Sequence, residues 1–198
     1  MGADRVAMAG NAPKDVHLFV LAHPDDEIAF APLLHRSVRE QKPVRLVYLT
    51  DGAAPGMSST VRERETVNAL GHLGIHRSAV YFAGSECGIP DGQLCRHLDQ
   101  AFEALEKAAA DWKSVAAIYS FAWEGGHPDH DAALVVAAAF AASRRLETSV
   151  WQVPFYRASD RWPAPMFTLG SPLTENGKVV SLPLTARERR LPGLPSRP

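Results

Sequence analysis

The chain has 198 residues, 46% of them hydrophobic and 22% charged, with a formal net charge of −1. That is enough apolar material for one domain with a buried core, and the near-neutral balance gives no basic footprint for nucleic acid. No apolar run approaches the roughly 18 residues of a membrane span, "MGADRVAMAGNAPKD" lacks the hydrophobic segment of a secretory signal, and Cys87 and Cys95 are too few for a disulfide framework, so a reduced, cytoplasmic protein is expected.

Residues 1–15 read as a flexible N-terminal segment. Val16 to Leu21 is short, apolar and β-rich, the pattern of a buried strand, and Ile28 to Val38 has helical periodicity. Between them "HPDDE" puts a histidine and three carboxylates at the handover from strand to helix. "PVRLVYLTDG" is a second strand closed by a turn, and "STVRERETVNALGHLGI" is a helix with apolar spacing at Val61, Val67, Leu70 and Leu73 and a C-capping Gly74. "AVYFAG" reads as a third strand, "GQLCRHLDQAFEALEKAAADW" as one amphipathic helix, and "VAAIYSFAW" as a fourth strand. "DHDAALVVAAAFAASRR" is a helix so apolar that it must be largely buried, and "TSVWQVPFY" is a fifth strand. Beyond Arg157 the helical rhythm fails and prolines recur; "MFTLG" and "GKVVSLPL" suit edge strands, and residues 187–198 read as a disordered tail.

Strands alternating with helices of this length imply βαβ units. The expected fold is α/β, a Rossmann-like three-layer arrangement with a mostly parallel sheet, as a single domain over residues 16–186 with its active site at the carboxyl ends of the strands. Neither GxGxxG nor GxxxxGK[ST] is present, so the signals for a dinucleotide or a P-loop nucleotide are missing.

The first charged cluster has a counterpart. In "FAWEGGHPDHDAAL" an apolar strand ends and His127, Asp129, His130 and Asp131 crowd the start of a helix, again at a carboxyl-end position. Imidazole and carboxylate suit zinc, and a catalytic zinc takes three protein ligands and leaves a position for water. His23 and Asp26, three apart, can point to one side of a tight turn, and His130 can complete the set from the other loop. Asp25 and His127 are left beside the metal, the first as a base for a water whose pKa the ion lowers. Protonated His127 is then a donor for the oxyanion of a tetrahedral intermediate.

"AHPDDE" followed by "GHPDHD", with "YLTDG" and "RERETVNALGHLGI" between them, resembles the zinc-dependent de-N-acetylases of the PIG-L/LmbE-like family over residues 16–155. That resemblance implies removal of the N-acyl group from an N-acetylglucosamine-type amino sugar or its conjugate. It implies His23, Asp26 and His130 as ligands of Zn2+, or of another divalent ion such as Fe2+, Asp25 as general base and His127 as electrostatic partner. It also puts a substrate-contacting arginine near Arg62, where a surface ion pair with Glu65 or a neighbour is the alternative. Gly125 stands where some relatives carry an aromatic hydroxyl, which leaves His127 without that helper. The short, proline-rich C-terminal part opens the cleft or makes contacts with another subunit, as in a homo-oligomer.

Other candidates have two readings each. Asp91 in "IPDGQL" either contacts a sugar hydroxyl or shapes a turn, and Asp129 either holds the His127 ring or caps the helix. Asp51 sits by the site or in an ordinary turn, and Trp123 forms a sugar-binding wall or packs. His17, His35, His72, His76 and His97 have no convergent partners in the sequence. Two alternatives to a de-N-acetylase stay open: an amidase of a thiol-sugar conjugate using the same metal, and a non-catalytic metal-binding module.

Overall fold

In the first strand, β1 (Val16–Leu21), side chains alternate between two separate cores. Val16, Leu18 and Val20 face a cluster that includes Ala101, Leu105, Val136 and Phe140, whereas Phe19 and Leu21 face one built with Phe30, Leu34, Leu70 and Tyr48. A strand buried on both faces requires a layer of helices on each side of its sheet. The computed structural model describes residues 16–53, 56–112, 114–146, 150–158, 167–186 and 188–190.

Along the chain, β1 is followed by α1 (Glu27–Arg39), β2 (Val44–Tyr48), α2 (Ser59–His72), β3 (Val80–Tyr81), α3 (Ala83–Cys87), α4 (Leu98–Ala108), β4 (Val115–Phe121), α5 (Pro128–Ser143) and β5 (Val150–Val153). The five strands pair in parallel in the order β3-β2-β1-β4-β5. α1 and α2 supply buried residues to one core, α4 and α5 to the other. The order reverses between β1 and β4, and such a switch point opens a crevice beyond the carboxyl ends of the two strands. Both histidine- and aspartate-rich segments leave the sheet there, one after β1 and one after β4.

Several sequence expectations need correction. "AVYFAG" is a strand only at Val80–Tyr81, because the chain turns at Phe82 into α3, where Gly84 lies so close to the Leu49 backbone that a Cβ would overlap it. The helix expected from "GQLCRHLDQAFEALEKAAADW" begins instead as a 3-10 turn over Leu94–Arg96, with α4 starting at Leu98. "MFTLG" does form a strand, β7 (Phe167–Leu169), antiparallel to β6 (Tyr156–Ala158). "GKVVSLPL" forms no strand among the described residues, and Val179, Val180 and Leu182 are exposed.

Residues 1–15 and 191–198 lie outside the described residues. Glu188, which the sequence reading puts in a frayed tail, is instead 1% exposed, held in a fork by Arg36 of α1 at 2.6 and 2.9 Å.

Candidate active site

The two HPD tripeptides fold differently. After β1 the chain makes a tight turn through His23 and Pro24, and α1 starts only at Glu27, with Asp26 in the capping position. Asp26 does not cap its own helix; its Oδ2 accepts from the backbone N–H of Ala22 at 3.0 Å and of His23 at 2.7 Å, closing the turn on itself. Asp25, between them, has φ 108°, a region that residues with a Cβ rarely adopt, at a cost of about 1–3 kcal/mol that its surroundings must cover. Three contacts hold it. Its N–H donates to Glu27 Oε2 at 3.1 Å, its Oδ2 lies 2.7 Å from Arg62 Nη2, and the same Nη2 donates to Pro24 O at 2.6 Å.

After β4, by contrast, the tripeptide enters the helix directly, with Pro128 in the first turn, where its missing N–H costs nothing. His127 is the N-cap, its Nδ1 accepting from Asp129 N at 3.2 Å. Asp131 accepts from the N–H groups of Glu124 and Gly125, which closes the β4–α5 loop. His130 lies one turn in and is buried against Phe121, ring centroids 3.9 Å apart.

Across the crevice the loops interlock. Asp26 sits between two imidazoles, its Oδ1 3.2 Å from His130 Nε2 and its Oδ2 3.6 Å from His23 Nδ1. The other edge of His23 faces two more carboxylates, with Nε2 3.1 Å from Asp129 Oδ2 and 3.2 Å from Asp91 Oδ1. His127 stands over this group, its ring centroid 4.8 Å from that of His23 and 5.0 Å from that of His130. Asp26, Asp129, His23 and His130 are all buried, whereas the Asp25 side chain is 66% exposed at the mouth.

Electrostatics follow from this crowding. Burial alone would lower the His23 pKa, but hydrogen bonds to Asp129, Asp26 and Asp91 outweigh it and push it up to about 12. Burial likewise opposes ionisation of Asp26, yet His130 and His23 hold its carboxyl well below the usual range. Desolvation and the neighbouring Asp26 push the Asp25 carboxyl up, against the pull of Arg62 and His23. Burial, then His23 and His130, push the His127 imidazole down. Three carboxylates converging on one imidazole call for a cation at that point, and a proton on His23 is one way to supply it.

The stretch of chain that carries both of these loops matches a known family. The sequence model for GlcNAc-PI de-N-acetylase, PIG-L, aligns with residues 18–141. The chain belongs to the PIG-L family. It is therefore a hydrolytic de-N-acetylase by family. Among solved structures, the zinc-inhibited form of teicoplanin deacetylase Orf2 superposes with a TM-score of 0.56 at 16% identity, over 69% of this chain and 67% of that one. The N,N'-diacetylchitobiose deacetylase of Pyrococcus horikoshii, complexed with its inhibitor MPG, gives 0.51 at 20% identity, over 66% of this chain and 50% of that one. At such identities the likeness speaks for the fold. No curated protein matches the chain.

The PIG-L-type residues expected from sequence fall into place unevenly. His23, Asp25, Asp26, Arg62, Asp91, His127 and His130 all line one pocket of 350 Å³ together with Ile28, Phe155 and Tyr156. Arg62 pairs with Asp25, so the alternative of an ion pair with Glu65 is replaced by a contact inside the site. Asp129 neither grips the His127 ring with its carboxylate nor caps α5. It accepts from Gly92 N at 2.7 Å and Leu94 N at 3.0 Å and orients His23, because the tight entry into α5 turns its side chain toward the 91–94 loop. Asp51 works from behind, its Oδ1 accepting from Asp91 N at 3.0 Å. Trp123 does not line the pocket and is 52% exposed.

Two residues escaped the sequence reading. Glu27, 6% exposed, accepts from Tyr48 Oη at 2.9 Å as well as from Asp25 N; the only sequence signal was a tyrosine inside a buried strand, whose hydroxyl needs a partner. Tyr156 of β6 brings a phenol into the pocket from which Gly125 is missing one, its ring 5.4 Å from that of His130. Gly126 permits this approach, since a Cβ there would overlap the Tyr156 carbonyl.

The residues present fit a divalent metal. His23, Asp26 and His130 form a two-histidine, one-carboxylate set of the kind that suits zinc. With its Nε2–H committed to Asp129, His23 keeps Nδ1 on the Asp26 side, the carboxylate–histidine pairing that orients metal ligands. The side-chain ligand atoms of His23, His127 and His130 lie within 4.8 Å of one another, as do those of His23, Asp91 and Asp129; neither of these two groups includes Asp26. Asp129 has both oxygens taken by backbone N–H groups, whereas Asp26 has only Oδ2 so taken and turns Oδ1 toward His130, which makes Asp26 the freer of these two carboxylates.

Proposed function

We propose that the chain is a divalent-metal-dependent hydrolase that removes the N-acyl group from an N-acetylglucosamine-type amino sugar or its conjugate, with His23, Asp26 and His130 holding the metal. The observation that carries the reading is Asp26 set between His130 and His23, with an ionisable base and a hydrogen-bond donor at the rim of the same pocket. A bound Zn2+, or Fe2+ as the alternative, supplies Lewis acidity, lowering the pKa of water at the site and polarising the amide carbonyl.

The chain's own groups do the rest. Asp25, held by Arg62 and by Glu27, accepts the proton of the attacking water through its exposed carboxylate. His127 donates to the carbonyl oxygen as negative charge gathers there. The proton taken up by Asp25 then passes to the amide nitrogen, the C–N bond breaks, and a carboxylic acid and a free amino sugar leave. Arg62 and Asp91, which both line the pocket, are the sugar-contacting candidates, Arg62 while also bound to Asp25.

The test combines metal content with turnover of an N-acetylglucosamine conjugate. His130→Ala loses stoichiometric metal. Asp25→Asn and His127→Ala keep the metal and lose roughly 10²–10⁴-fold and 10²–10³-fold in kcat. Loss of metal in His127→Ala would mean a closed, four-ligand structural site; unchanged kcat in Asp25→Asn would remove the base.

A further inference from the structure

Between α1 and α2 runs a groove of 430 Å³ that the chemistry above leaves unused. Pro24, Ile28 and Ala31 line one wall and Thr66, Ala69 and Leu73 the other. At one end it shares Asp25, Ile28 and Arg62 with the active-site pocket, so the two form one continuous depression. Ile28, at the junction, keeps 41% of its surface exposed.

What the walls lack is as informative as what they carry. At the catalytic end Arg62 binds Asp25 and Pro24 through Nη2, leaving a buried Nε without a partner, and Glu27 is engaged with Tyr48 and the Asp25 N–H. Farther along, Glu65 and His72 are exposed, with Thr66 buried among alanines and Leu73. A second sugar ring there would bury hydroxyls with few partners. Methylene groups carry no such cost, and each one removed from water gains roughly three- to fourfold in affinity. From Arg62 in α2 to Leu73, the residue that caps its end, a rise of 1.5 Å per residue gives roughly 16 Å, about the reach of an extended twelve-carbon chain.

We propose that this groove receives an aliphatic chain carried by the substrate, either on the acyl group of the scissile amide or on the anomeric oxygen of the sugar. The proposal rests on the hydrolase reading for the chain's attachment, since the groove opens at Asp25. Ala69, exposed on α2, is one of the small residues that leaves it open.

The experiment has two substrate arms and one binding arm. In the first, kcat/KM is measured for N-acetyl-, N-octanoyl- and N-dodecanoylglucosamine; in the second, for the methyl, octyl and dodecyl β-glycosides of N-acetylglucosamine. One arm is expected to rise at least tenfold from the shortest to the octyl member, and that arm identifies the source of the chain. Ala69→Phe collapses the octyl-to-short ratio of that arm toward one, while Ala69→Ser, which keeps the space, preserves it. In the binding arm, calorimetry of N-octylglucosamine and octyl β-glucosaminide with wild type and Ala69→Phe reads the groove without turnover. Hydrolysis of the short substrates with no chain-length gain in either arm overturns the groove, as does an unchanged ratio in Ala69→Phe. Absence of hydrolysis throughout, with chain-dependent binding that Ala69→Phe abolishes, overturns the hydrolase reading and leaves the groove standing.

Discussion

Asp129→Asn separates two roles that sequence alone leaves mixed. The aspartate is fully buried and accepts three hydrogen bonds, from Gly92 N, Leu94 N and His23 Nε2. Asparagine keeps one acceptor oxygen and turns an amide NH₂ toward the remaining donors, so at least one buried N–H goes unsatisfied, at about 1–3 kcal/mol. Against a total stability of roughly 5–15 kcal/mol, that lowers the melting temperature without unfolding the protein. His23 loses the carboxylate that fixes its ring, and changes of this kind cost roughly 10–100-fold in metal affinity. The assay is zinc titration of the metal-free variant alongside its thermal melt. If Asp129 acted on His127, as one sequence reading has it, metal affinity would stay at the wild-type value and only kcat would fall; affinity within twofold of wild type refutes the role assigned from the structure.

The Glu27 carboxylate is a test of how Asp25 is held. Glu27→Gln retains an acceptor for both Tyr48 and Asp25 N–H and is expected to stay within a few-fold of wild-type kcat, whereas Glu27→Ala strands a buried tyrosine hydroxyl, costs about 1–3 kcal/mol in a denaturant melt and lowers kcat with the metal in place; equal kcat in the two variants would show that Asp25 does not depend on it. The Arg36–Glu188 fork gives a pH signature. Arg36 holds the Glu188 carboxyl well below its usual range, so its contribution is present above the unfolded pKa of about 4.3 and is lost as pH falls through the folded value. Glu188→Gln therefore melts below wild type at neutral pH, and the gap closes in acid; a gap that widens in acid contradicts the pairing.

How much of this was legible in the sequence depends on the range over which each residue acts. Periodicity alone located β1, β2, β4 and α5, because their burial is encoded in consecutive side chains. Chain order then implies a parallel sheet, and the carboxyl-end rule puts His23, Asp26, His127 and His130 at one crevice, where all four line one pocket. The failures are long-range. Asp129 reaches Gly92 and Leu94 from 37 and 35 residues away, and Glu27 meets Tyr48 across 21, pairings that no local pattern announces. The third strand shrank to Val80–Tyr81 because Gly84 packs on the Leu49 backbone, a tertiary contact that overrides the β-rich run. Even identical tripeptides diverged: Pro128 sits in the first turn of α5, while Pro24 precedes a turn in which Asp25 takes φ 108°.

That divergence determines how His127 does its work. A backbone N–H can only donate, so the bond from Asp129 N requires Nδ1 of His127 to be the acceptor. In the neutral imidazole the proton then sits on Nε2, and the ring is a donor without carrying charge. Burial, with His23 and His130 nearby, lowers its pKa, which favours that neutral form. The sequence reading, in which a protonated His127 serves the oxyanion, predicts a basic limb in the pH–rate profile that His127→Ala removes. The structure predicts the opposite sign: protonation would break the cap and put a cation beside His23 and His130, so His127 contributes only to loss of activity on the acid side. The kcat/KM profiles of wild type and His127→Ala on an N-acetylglucosamine substrate decide between them. A basic limb shared by both proteins fits a neutral donor, and its disappearance in His127→Ala would restore the charged one.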